Sequence, residues 1–462
     1  MSYFADLAQR QQRYEDLALR AMELALKKGA SEVKIKVNAG KGIQVSARSG
    51  EVENIEFNQM EAMGILVYQD KRKASVSTND FTGNSLEQAV DAALQLCQYT
   101  SQDEFAGLCD KEDLYQREGN SQAPSAQELA MLFEIEEDPD VVVKKAIALE
   151  KLGISKIDEY KSQGLKDTDG SFYSADYSVD TIVSSNGFCQ SKVESSFSKY
   201  MGFIGELNGV IQCGSGGSYG VNPHKEWSDE AVVAEAIEHT LDKLGAKKIK
   251  TGKYPVIFRR TANGFMTHCL SGLAGQLIYQ NSSYLKDKLG EQVFPEFLTI
   301  KENPWAPSEL GSCLFDSDGV ATRPLTLVEQ GVIKEYLLGT YSARKLKMRC
   351  NGHNDPLYNT YVTADAAHTG SLEEIMAKVG SGLVVDSLMG QGVNLVNGNY
   401  SRGASGFYFE NGQRVHAVDE VTIAGNLLDM SKNIAMLGTD IDTRRVVKVG
   451  SILLPEVTIS GL

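Results

Sequence analysis

Two periodicities alternate along the chain. Over residues 11–29, QQRYEDLALRAMELALKKG, the apolar positions Leu17, Ala18, Ala21, Met22, Leu24 and Ala25 recur at helical spacing, with Gly29 placed as a C-terminal cap. The period then drops to two in SEVKIKVNAG, IQVSARSGEVENIEF and GILVYQDKRKASVST. This predicts short strands with turns at Ala39-Gly40 and Ser49-Gly50. NSLEQAVDAALQLCQYT returns to helix, with Asn84 or Ser85 as its N-cap. A helix, an antiparallel meander and a second helix form an α+β unit of about 100 residues.

Residues 101–138 are acidic and aperiodic and read as a connection, followed by a helix starting near Pro139. Strand-like sequence fills 168–222, and SDEAVVAEAIEHTLDKLG predicts a helix capped by Ser228. Beyond it come the strand YPVIFRR and a helix carrying His268. Strand-like blocks then alternate with glycines: GVIKEYLLG, GLVVDSLMG, GFYFENG, VDEVTIAGN and GSILLPEVTISG. The fold class is therefore α+β. An N-terminal helix and antiparallel-sheet domain (1–222) is followed by a β-rich C-terminal domain (223–462) with one or two helices, the boundary falling within 222–250.

The formal net charge of −15 opposes nucleic acid and anionic membranes, which need a positive field. The N-terminal stretch lacks an apolar signal core, and no run approaches about 18 apolar residues, so no membrane segment is expected. Seven scattered cysteines without a CxxC pair suit reduced thiols and a cytoplasmic location.

Candidate chemistry is sparse. The six histidines (224, 239, 268, 353, 368 and 416) never fall three to five residues apart, so no helix presents a paired imidazole face. GHNDP offers His353 and Asp355 on a loop, short of the three ligands a zinc hydrolase requires. There is no GxSxG elbow, and neighbouring helical residues such as His268 and Cys269 point about 100° apart. The glycine-rich runs GSGGSYG (214–220) and GQGVNLVNG (390–398) match no phosphate-binding loop and read as close backbone approaches or turns.

Several long blocks, however, are idiosyncratic: SYLKDKLGEQVFPEFLTI, YSARKLKMRCNGH, GLVVDSLMGQGVNLVNGNYSRGASGFYFENG, EVTIAGNLLDM and GSILLPEVTISG, with SGEVENIEFN near the N-terminus. Through them the chain resembles the TldD/PmbA peptidase family from about residue 12 to 462. The resemblance implies a two-domain α+β fold enclosing a cavity. It also implies two branches: TldD-type chains with an HExxxH motif and a distant Cys that hold the metal, and TldE (PmbA) chains that share the fold without that site. In MTHCLSGLAG (266–275), His268 takes the place of the first motif His, Cys269 of the Glu and Leu273 of the second His. The distant Cys region resembles RRVVKVGS, where Val449 is the nearest position.

The resemblance thus places the chain on the TldE branch. It carries no catalytic or metal residues and no cofactor of its own, and zinc is expected on a TldD-type partner. That partner, unfolded or small peptide substrates, and a homo- or hetero-oligomer are the implied associations. The strands near GASGFYF are candidates for a substrate-pairing edge. Two alternatives stay open: an independently active hydrolase with an unrecognised site, and a peptide-binding scaffold.

Overall fold

The computed structural model describes residues 3–116, 123–354 and 357–462. The first half is α1 (Tyr3–Lys27), β1 (Glu32–Arg48), β2 (Glu51–Gln69), β3 (Arg72–Thr78), α2 (Gly83–Tyr99), the single turn α3 (Ala126–Leu129), α4 (Pro139–Tyr160), β4 (Leu165–Ser184), β5 (Phe188–Leu207), β6 (Val210–Gly220) and α5 (Asp229–Leu241). Its strands form one antiparallel sheet in the order β3-β2-β1-β4-β5-β6. Alternation puts Val33, Ile35, Val37, Ile43 and Val45 of β1 on one face, all buried beneath α1, α2 and α4. Each such side chain contributes about 1.5–3 kcal/mol when fully buried.

The hairpin at Ser49-Gly50 is where the sequence predicts it, with both residues at positive φ. The turn expected at Ala39-Gly40 is not there, because β1 runs straight through it, pairing with Glu61 and Met60 on one side and with Val179 and Ser178 on the other. At Gly40 a Cβ would press on the Tyr177 carbonyl, so the glycine serves close strand approach instead of chain reversal. Helix α1 starts earlier than its periodicity shows: the amides of Tyr3 and Phe4 donate to the Glu137 carboxylate at 2.8 and 3.0 Å. The N-cap of α2 is Thr82 and not Asn84 or Ser85; Asp80 gathers the Thr82 amide and the Ser85 hydroxyl. Ser228 caps α5 as read, accepting from the Ala231 amide. α5 then packs on β6 through glycines: a side chain at Gly214 or Gly216 would collide with the helix backbone at Thr240 and Val232.

The second half holds β7 (Gly252–Phe258), α6 (Gly264–Ser271), α7 (Gly275–Tyr279), β8 (Leu298–Glu302), β9 (Leu325–Glu329), β10 (Val332–Ile333), α8 (Thr340–Leu346), β11 (Thr360–Ala364), β12 (Thr369–Gly370), α9 (Leu372–Val379), β13 (Gly382–Met389), β14 (Val393–Asn394), β15 (Asn399–Glu410), β16 (Gln413–Asn426), α10 (Leu427–Lys432), β17 (Met436–Gly438), β18 (Val447–Lys448) and β19 (Ile452–Ser460). One sheet has the order β10-β9-β8-β11-β18. In the larger sheet β7 pairs both β13 and β19, so β19-β16-β15-β13-β7 closes into a barrel. The expected α+β class is the observed one.

Two expectations fail here. GASGFYF is not an edge: Gly403–Phe409 lies inside β15, paired to β13 on one side and β16 on the other. The helices number more than one or two. Each of α6–α10 spans five to eight residues, too short a stretch for helical periodicity to stand out.

Between the halves lies a cavity of about 1120 Å³, walled by Lys73, Asp103 and Tyr219 from the first half and by residues of α6–α8 and β18 from the second.

Candidate functional site

Helix α6 decides what this cavity can do. Asn263, Thr267 and Ser271, four residues apart, turn one helix face toward it. His268 sits one step round and meets the ring of Tyr400 edge-on at 6.2 Å between centroids. Burial, aided by the Arg402 guanidinium and opposed by the Gly264 backbone, holds its imidazole below the ordinary range. Cys269 and Leu273 point the other way, both with no exposed surface, into the core of Phe265, Met266 and Leu270. Burial pushes the Cys269 thiol up to about 12, and its carbonyl accepts from Tyr284 Oη at 2.7 Å. Phe265 stacks on Phe258 of β7 at 4.5 Å, which fixes the rotation of the helix.

The three motif positions therefore offer one imidazole, one protonated buried thiol and one alkyl side chain. Val449, just past β18, is also fully buried among apolar neighbours. Among the described residues, no three His, Cys, Asp or Glu side chains are placed to hold a metal ion. This donor set does not fit a zinc centre.

His353 reaches the cavity wall but serves a different end. Its Nε2 lies 2.5 Å from Glu302 Oε2, its ring packs on Tyr358 at 4.8 Å, and both side chains are sealed from solvent. The other Glu302 oxygen accepts the Tyr358 amide at 2.6 Å, so Glu302 ties both His353 and Tyr358 to β8. Asp355, its candidate partner in the sequence, lies outside the described residues.

A dense charge network lies beside the cavity and reaches its wall through Arg444. Arg444 donates to both oxygens of Glu235 at 3.0 and 2.8 Å and to both of Asp442 at 2.8 and 3.1 Å, and it stacks over Trp227 at 3.9 Å. Burial raises the two carboxyls, but bonding to Arg444 outweighs it and holds both below their ordinary range. Nearby, Arg259 reaches Glu238, Asp242 and Asp386. Of these groups Glu235, Asp242, Asp386 and Arg444 line a second cavity of about 540 Å³ between α5 and the barrel. Asp442 is a near neighbour of Arg444 in the chain, but Glu235 lies 209 positions from it and Asp386 lies 127 from Arg259, so sequence spacing gives no sign of those pairs.

Two family models match the chain: the PmbA/TldA metallopeptidase domain 1 over residues 33–97 and the PmbA/TldA metallopeptidase C-terminal domain over 251–461. The chain is 37% identical to the metalloprotease PmbA of Escherichia coli O157:H7, covering 97% of this chain and 96% of that protein. It is 35% identical to a metalloprotease PmbA homolog of Haemophilus influenzae, with 96% and 94% covered. The solved structure of TldE from Thermococcus kodakarensis has the same fold: TM-score 0.80 at 19% identity, covering 96% of this chain and all of that one. With full-length relatives above 30% identity and both terminal domains matched, the chain belongs to the PmbA/TldD metallopeptidase family.

Proposed function

We propose that this chain is the TldE-type, non-catalytic subunit of a two-chain metallopeptidase, with the zinc held by a TldD-type partner. One observation carries the reading: where the motif needs a carboxylate and a second imidazole, Cys269 and Leu273 are sealed in the hydrophobic core. A hydrolytic zinc takes three protein ligands and an open position for water, and a lone half-buried His268 does not replace them. The role left to the chain is to complete a peptide-handling chamber, for which the large cavity between its halves is suited. Substrates are then unfolded peptides or small peptide precursors, and the working form is a hetero-oligomer in the cytoplasm.

The test is the metal-to-protein ratio of the untagged chain purified alone, followed by peptidase assays with and without a TldD-type chain. A zinc ratio near zero, no activity alone and chelator-sensitive activity on mixing are expected. A ratio near one, or chelator-sensitive peptidase activity of the chain alone, overturns the proposal.

A further inference from the structure

One edge stretch of the N-terminal sheet, along β2, is unpaired among the described residues. β3 pairs with β2 only over Met63–Gln69, which leaves residues 51–61 of β2 hydrogen-bonded to β1 alone. An eleven-residue strand spans on the order of 35 Å, and among the described residues its outer row of N–H and C=O groups has no strand beside it. Every residue from 51 to 60 is exposed on this edge.

Its side chains are not those of a blunted edge. Ile55 and Phe57 stand opposite Val45 and Ile43 of β1, and directly paired residues share a face, so both belong to the helix-covered face of the sheet. Val45 and Ile43 are buried there, whereas Ile55 is 40% and Phe57 65% exposed, one strand beyond the helical cover. Val52 and Ile154 of α4 add apolar surface beside the Ser49-Gly50 turn. The same segment carries Glu51, Glu53, Glu56 and Glu61 and no Lys or Arg. Among the described residues Glu51, Glu53 and Glu56 form no ion pair, and only Glu61 is held, by Arg13 and Tyr14.

We infer that residues 51–61 of β2 are a strand-addition site for an extended segment of the catalytic partner chain, one carrying Lys or Arg at alternate positions with apolar residues between them. Main-chain bonds supply the register, Ile55 and Phe57 the apolar contact, and the glutamates the charge selection. A second copy is a poor occupant. Edge-to-edge pairing about Glu56 sets Glu56 against itself and Glu51 against Glu61, and like charges directly opposite repel.

This rests on the two-chain reading above, and the experiment separates the two. The full-length chain, a Glu53→Lys/Glu56→Lys variant and an Ile55→Ser/Phe57→Ser variant are titrated against a TldD-type chain at 0.15 M salt, with the melting temperature and oligomeric state of each recorded. Binding of the wild type with at least tenfold weaker binding by both variants, at unchanged melting temperature, is expected. Equal binding by all three overturns this edge while leaving the partnership standing. No binding even by the wild type overturns the partnership and this inference together. A wild-type homodimer that the variants turn into monomers assigns the edge to a second copy and overturns the inference as well.

Discussion

His353 Nε2 lies 2.5 Å from Glu302 Oε2, and neither side chain has any solvent-exposed surface. A buried hydrogen-bonded pair contributes modestly by itself, but removing one member leaves the other unsatisfied. Glu302 also receives the Tyr358 amide, so the loss would spread to the loop. His353→Ala is expected to cost about 1–3 kcal/mol in urea unfolding. A loss under 1 kcal/mol would show that the pair does not hold the loop.

The Arg444 network predicts an acid limb. Glu235 and Asp442 are held below their ordinary range in the folded chain, so each contributes stability above its unfolded pKa of about 4 and loses it as pH falls through the lower folded value. Stability should fall on acidification below about pH 4. In Arg444→Leu the carboxyls stay buried without their cation, so their folded pKa values move up and the sign reverses. That variant should be most destabilised, relative to wild type, at neutral pH and less so in acid. Parallel unfolding curves for both proteins across pH 3–7 would refute the assignment.

Rebuilding the motif is expected to fail. Cys269 and Leu273 have no exposed surface, so Cys269→Glu/Leu273→His places two polar groups in a packed apolar core. We expect a loss of about 3–5 kcal/mol and no stoichiometric zinc, read by chemical denaturation and by metal analysis. Zinc uptake near one per chain with retained stability would mean that the helix can turn these positions toward the cavity.

Thiol reactivity should follow burial. Cys109, Cys269 and Cys350 are buried and their thiols pushed up to about 12, whereas Cys213 is exposed on β6. Iodoacetamide at pH 8 should label Cys213 first and leave those three intact until the chain unfolds. Mass spectrometry of digested, time-quenched samples reads this directly. Early labelling of Cys269 would contradict its place in the core.

The sequence by itself determined the α+β class, the long helices, most strand blocks and the family. Those depend on local periodicity or on contiguous blocks, and both survive in one dimension. It also placed Ser228 as a cap, and it read Gly214–Gly220 as either close backbone approach or a turn, of which the structure has the former, where Gly214 and Gly216 meet α5. The tertiary structure decided what depends on residues distant in the chain. Glu137 begins α1 from 134 positions away, pairing with β13 and β16 puts Gly403–Phe409 inside a sheet instead of at its edge, and Glu302 reaches His353 only across β8. The three letters His268, Cys269 and Leu273 were readable in order, but that Cys269 and Leu273 face the core while Thr267 and Ser271 face the cavity was set by the rotation of α6. That rotation comes from Phe265 stacking on Phe258, a contact no local pattern encodes.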